Sequence, residues 1–116
     1  MPYRWYPELR IQVPHLGSYE YHAFFDLAND FAGVHFDTAM IMIKHRLFPD
    51  NFGKAFTVDD LLSIQDRVMF GSDFPNIPYD YDLAIKSITS LPVSDEVKEK
   101  MLWRNAARFY GLEGLE

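Results

Sequence analysis

The stretch Asp66-Arg67-Val68-Met69-Phe70-Gly71-Ser72-Asp73-Phe74-Pro75 decides how this chain folds. The apolar run Val68–Phe70 is followed at once by Gly71, Ser72 and Asp73, then by Phe74-Pro75. A short apolar run bounded in this way reads as a buried strand. Asp73 then stands at the strand's C-terminal mouth, which is where barrels of alternating strands and helices place their chemistry. A carboxylate there is costly unless a cation or a hydrogen-bond donor receives it. Local sequence leaves two readings open: an acid that serves a site on the rim, or a turn acid that caps the next helix.

Upstream, Leu9–Val13 alternates apolar and polar residues and reads as a strand closed by Pro14, which lacks the amide hydrogen a strand centre needs. Ser18 is the expected N-cap of a helix whose stripe is Tyr21, Phe24, Phe25, Leu27 and Ala28, running to about Phe31 before Gly33. Val34–Thr38 reads as a second strand, Met40–Phe48 as a short helix, and 49–56 as a loop by its Pro, Asn and Gly content. Thr57 caps a helix over Val58–Gln65, and Val68–Phe70 is the third strand. After the loop 72–80 a helix runs from Tyr81 to Leu91, where Pro92 breaks it. Ser94 caps the last helix, with Asp95 and Glu96 in its first turn, and that helix ends near Tyr110 before Gly111.

Strands alternating with helices predict an α/β fold with a parallel sheet and right-handed crossovers. Three strands are too few to close a barrel, which takes about eight. Parallel strands are ordinarily apolar on both faces. The face turned away from the helices should then be an uncovered apolar patch, which predicts a homo-oligomer, most simply a two-fold dimer.

Composition narrows the function classes. The chain has 116 residues, 48% hydrophobic and 16% aromatic, which describes a single globular domain over 1–116. Its net charge of −6, without any run of Lys or Arg, argues against nucleic-acid and anionic-membrane surfaces. The lack of cysteine excludes disulfides and thiolate metal sites. No apolar stretch is long enough to span a bilayer and the N-terminus is not a signal peptide, so a cytoplasmic location is expected.

Three segments in order, 6–38 with its Pro14-His15-Leu16-Gly17, 66–79 with its Gly71-Ser72-Asp73-Phe74-Pro75, and 102–112 with its Asn105-Ala106, resemble the C-terminal part of the amidohydrolase-related family. These are metal-dependent TIM-barrel hydrolases and decarboxylases. The resemblance implies a partial TIM barrel, three strand-helix units matching strands six to eight plus a closing helix. It implies that Asp73 matches the eighth-strand aspartate, a metal ligand that also takes the proton from bound water. His15 matches the sixth-strand histidine, which contacts substrate or water, or binds a second metal. Asp37, Phe74 and Asn76 fall on the substrate side of the rim. A divalent metal, zinc first, and a small-molecule substrate are implied with them. The family's first-strand His-x-His and fifth-strand histidine are missing and would precede Met1. The chain therefore looks like the closing part of an enzyme, and is expected to be inactive alone.

Blander readings stand beside these. His15 taken alone reads as a buried histidine bonded to backbone. His35 and Asp37 share a strand face and read as a satisfied polar pair. His22 and Asp26 lie one helical turn apart and read as solvated, and His45 as exposed. Asn105 is expected to bond a neighbouring loop, and Met40, Ile41, Met42 and Ile43 to pack. The alternative to an enzyme part is a non-catalytic partial barrel held together by self-association.

Overall fold

In the computed structural model, residues 6, 8–43, 57–112 and 114 are described. Strands β1 (Ile11–Val13), β2 (Val34–Asp37) and β3 (Val68–Met69) form one parallel sheet in the order β1-β2-β3. Helix α1 (Tyr21–Asp30) links the first two strands, and α2 (Val58–Ser63) precedes the third. Helix α3 (Tyr81–Thr89) follows β3. The terminal helix is built of α4 (Asp95–Glu99), a π turn (Lys100–Arg104) and α5 (Asn105–Phe109). Every expected strand is present, trimmed by one or two residues. The expected helix over Met40–Phe48 is not seen where it can be judged, because Met40, Ile41 and Met42 lie in turns. Residues 44–48, His45 included, and the loop 49–56 lie outside the described residues.

Register sorts the side chains. Gln12 pairs with His35, Phe36 with Val68 and Asp37 with Met69, and paired residues in a parallel sheet point to the same side. Val13, Val34, Phe36 and Val68 are buried on the helix-covered side, where Phe25 of α1 meets Phe36 edge to face at 5.1 Å. The other side carries Gln12, His35 and Asp37, with Met69 of β3 beside Asp37. This corrects the expectation of strands apolar on both faces. β1 and β2 alternate, so on these two strands the face that lacks crossover helices is polar. The end of the terminal helix lies on that face: the Phe109 ring sits 4.7 Å from the His35 ring, and the Tyr110 hydroxyl donates to Gln12.

Ser18 does not cap α1. The helix begins at Tyr21, preceded by Glu20, with no side-chain cap. Residues 14–20 form tight turns in which His15, Leu16 and Gly17 adopt successive left-handed conformations (φ 53°, 51° and 80°). A β-carbon on Gly17 would come within 2.8 Å of the Phe24 ring, so the turn can lie on α1 only with glycine there. Thr57 and Ser94 do cap their helices, Thr57 in a reciprocal capping box with Asp60. Arg67 donates to the carbonyls of Ala28, Phe31 and Val34, holding the C-terminal end of α1 and the start of β2.

The terminal helix completes the edge of β3. Arg67 and Met69 turn their carbonyls toward β2, where Phe36 and Thr38 donate to them at 2.8 and 3.0 Å. Val68 and Phe70 therefore turn their backbone groups away from β2. Asn105, fully buried, donates to the carbonyls of Val68 (2.8 Å) and Gln65 (2.7 Å), so it does bond the neighbouring loop and also the strand. The Phe70 amide donates to the Met101 carbonyl at 2.7 Å. That carbonyl is free because the Asn105 amide skips it and bonds Lys100 instead, five residues back. The π turn thus releases one helix carbonyl to stand in for a strand partner.

This packing sets the response to substitution and to pH. Asn105→Ala leaves two carbonyls without their donor, and at roughly 1–3 kcal/mol for each buried unsatisfied group the loss should be about 2–6 kcal/mol by urea unfolding. His35 is buried, and burial above all, with Arg67, Arg108 and Arg10 nearby and the Gly33 carbonyl opposing, lowers its pKa from the ordinary value of 6.5. The unfolded chain then binds that proton more readily than the folded one. His35's stabilising contribution is complete above about pH 6.5 and shrinks as pH falls below it. Unfolding midpoints at pH 7.5 and 5.5 should drop more for the native chain than for His35→Phe.

Candidate functional site

β1 and β3 are separated by β2, so their backbones run about 9–10 Å apart, two strand spacings. Side chains from their ends meet only if the chain turns inward above β2, and both ends do. His15 enters the left-handed turn directly after β1 and Pro14, and Asp73 is also left-handed (φ 58°). Met40, beyond the end of β2, is a third such residue (φ 62°). Each non-glycine residue held there costs on the order of 1–3 kcal/mol, a strain that folded proteins concentrate at functional sites. The result is that His15 Nε2 lies 3.7 Å from Asp73 Oδ2, with the side chains 32% and 45% exposed.

The end of β2 forms the floor. Asp37, only 8% exposed, accepts from the amides of His15 and Ala39 at Oδ1 (both 3.1 Å) and from Gln12 Nε2 at Oδ2 (2.9 Å). His15 Nδ1 meets the Ala39 carbonyl at 2.5 Å. A carbonyl can only accept, so Nδ1 carries the hydrogen and the neutral ring presents a bare lone pair at Nε2. Gly71 brings β3 close to this floor. Its amide donates to Thr38 Oγ1 (3.2 Å), and a β-carbon there would stand 3.2–3.4 Å from Asp37 and Ala39.

This chemistry bears on a metal. A bare imidazole nitrogen and an ionised carboxylate are both acceptors, and at 3.7 Å neither can satisfy the other without a shared proton or cation. Their donor types suit a divalent cation. Their number does not complete one, since zinc in a catalytic site takes three protein ligands. Among the described residues no group of three or more His, Asp or Glu side chains converges to hold a metal ion. The pair is thus a partial donor set.

Of the residues expected at the rim, His15, Asp73 and Asp37 come together. Phe74 is 63% exposed and stands edge to face with Tyr81 at 5.7 Å. Asn76 is exposed, and its amide donates to the Asp73 carbonyl, closing the turn. Asp73 does not cap the next helix, whose N-cap is Asp80. The bland reading of His15 is half right: Nδ1 is bonded to backbone, and Nε2 is what remains for the site. His22 and Asp26 lie exposed on α1, as expected. Sequence reasoning missed Ala39, Gly71 and Tyr79. Burial first, then the Asp73 carboxylate, raises the Tyr79 phenol above its ordinary value of 10.0. Its place six residues after Asp73 was the available signal.

A family model described as Amidohydrolase matches residues 4–112. The chain belongs to the amidohydrolase family. No curated protein matches it. Among solved structures it is similar to a 2,6-dihydroxybenzoate decarboxylase complexed with 2,6-dihydroxybenzoate, with a TM-score of 0.67 and 20% identity over 97% of this chain and 37% of that one. It is equally similar to 2,6-dihydroxybenzoate decarboxylase from Rhizobium, at TM-score 0.67 and 20% identity, covering 97% of this chain and 38% of that one. At that identity the likeness speaks for the fold. This amidohydrolase chain spans little more than a third of those structures. Among the described residues no helix is long and apolar enough to cross a membrane.

The close approach at Gly71 gives a direct check. Gly71→Ala forces its new methyl against Asp37 and Ala39, and overpacking of this kind costs about 1–3 kcal/mol. Urea unfolding should show the loss, and amide resonances of His15, Asp37 and Ala39 should shift more than those of α3.

Proposed function

We propose that this chain is the part of an amidohydrolase-family TIM barrel corresponding to strands six to eight and the closing helix, and that its rim serves a metal-dependent hydrolase or non-oxidative decarboxylase. The observation that carries the reading is the convergence of His15 Nε2 and Asp73 Oδ2 at 3.7 Å from the ends of two non-adjacent strands. Asp73 would hold the metal, zinc first, with the remaining ligands coming from outside this chain. When bound, such a metal supplies an acidified water and polarises an oxygen of the substrate.

The chain's own residues supply the proton handling. In hydrolysis Asp73 would accept a proton from the attacking water at Oδ2 and return it to the leaving group; in decarboxylation a proton would instead go to the ring carbon that loses carbon dioxide. His15, its Nδ1 hydrogen tied to Ala39, offers Nε2 to orient water or substrate, and once protonated it steadies developing negative charge. Phe74 and Tyr81, standing edge to face and exposed, wall the mouth, with Asn76 beside them as a polar contact. The two similar solved structures are named for 2,6-dihydroxybenzoate, which makes a small aromatic acid the first substrate to try.

The alternative, a non-catalytic partial barrel stabilised by self-association, is favoured by one feature. β1 is an edge strand of the sheet, and an edge strand offers its backbone to another chain. Light scattering at micromolar concentration separates the states: a homo-oligomer supports this assembly, and a clean monomer removes it.

Zinc titrated into the 15N-labelled chain tests the main reading. Two ligands cannot hold zinc tightly. Weak binding is expected, with shifts confined to His15 and residues 72–74 and abolished in Asp73→Ala. A tight site, or shifts centred elsewhere and insensitive to Asp73→Ala, would contradict it.

A further inference from the structure

We propose that Asp37 is a positioning residue for His15: acting through Ala39, its carboxylate fixes the imidazole as the Nδ1–H tautomer, with the Nε2 lone pair turned toward Asp73. This assigns Asp37 a place behind the site instead of a contact with substrate.

The hydrogen bonds form a closed loop. Asp37 Oδ1 accepts from the His15 amide and from the Ala39 amide, both at 3.1 Å. Ala39 then returns its carbonyl to His15 Nδ1 at 2.5 Å. One carboxylate oxygen thereby fixes both the backbone that carries the imidazole and the residue that selects its tautomer. The second oxygen is taken by Gln12 Nε2 at 2.9 Å, and Gln12 in turn accepts from the Tyr110 hydroxyl. With both oxygens engaged and only 8% exposure, Asp37 is not placed to meet a substrate.

The loop also explains how the left-handed turn persists. His15, Leu16 and Gly17 would relax toward ordinary conformations if nothing held the His15 amide inward. The carboxylate's grip on that amide is charge-assisted, and such bonds are about twice as strong as neutral ones. A fixed tautomer matters because the two imidazole nitrogens are inequivalent. An Nε2–H ring would point a hydrogen at the position where a lone pair is needed, whether for a proton or for a cation. A hydrogen bond on the far nitrogen that sets the tautomer of a functional imidazole is a known device of second-layer residues.

The proposal rests on the reading that His15 Nε2 serves the site, but its readout is the imidazole spectrum itself and needs neither metal nor turnover. Long-range 1H–15N correlation at pH 9, well above the ordinary imidazole range, reports which ring nitrogen bears the hydrogen. The native chain should show His15 as Nδ1–H. Asp37→Asn keeps an oxygen able to accept from both amides and should preserve that pattern, whereas Asp37→Ala should move the ring toward a mixture of tautomers. Should Asp37→Ala fail to fold, Gly71→Ala, which presses on the Asp37 carboxyl carbon from 3.3 Å, should produce the same shift in smaller degree. An Nε2–H ring in the native chain overturns the proposal, and so does an unchanged Nδ1–H ring in whichever of the two variants folds. If the tautomer behaves as stated while zinc leaves His15 and Asp73 untouched, the functional reading fails and the positioning role of Asp37 stands.

Discussion

The Asp37 carboxylate is the contact on which the rim depends. It sits at the end of the middle strand, buried, with donors from β1, from the turn after β1 and from its own strand end. A buried carboxylate with too few donors would be a heavy cost. Here the three donors compensate the charge and fix the geometry around it. The His15 turn bends inward to it, and Gly71 lets β3 approach it closely enough for Asp73 to face His15. Removing its acceptor oxygens would release the turn that brings His15 over the end of β2.

The second constraint is the edge of β3. A strand of two residues carrying the site's acid needs partners on both sides to keep its place. β2 provides one side. The terminal helix provides the other with unlike parts, an asparagine side chain and a carbonyl released by a π turn. The terminal helix thereby holds Phe70, the residue just before Gly71. The same helix lays Phe109 and Tyr110 over the polar face, joining its stability to the protonation of His35.

Much of this was legible in the sequence. The parallel order, the strand positions and the caps at Thr57 and Ser94 follow from patterns that act within a few residues. Asp73 was marked by its place after an apolar run, and Asn105 by being a helix-interior asparagine suited to bonding a neighbouring loop. The polar face was misread, although Gln12, His35 and Asp37 occupy strictly alternate positions. Parallel strands are apolar on both faces only where both faces are covered. The left-handed turn after β1 was hidden because only Gly17 of its residues announces a positive φ; His15 is held there by its bonds to Asp37 and Ala39, and Leu16 is buried in the core, neither of which a local pattern carries. The π turn has no sequence signature in Lys100–Arg104, since its cause is the unpaired edge of a strand distant in the chain.

The central claim is that His15 Nε2 and Asp73 Oδ2 converge on one point, where a shared proton or a cation can stand between them. Anomalous diffraction from a crystal of the chain soaked in cadmium locates such an ion without assumption about turnover. The account predicts a peak within ligand distance of both atoms, with His15 Nδ1 still bonded to Ala39. A His15 ring turned so that Nε2 meets the Ala39 carbonyl, or cadmium bound at other carboxylates while the rim pair takes none, would contradict it.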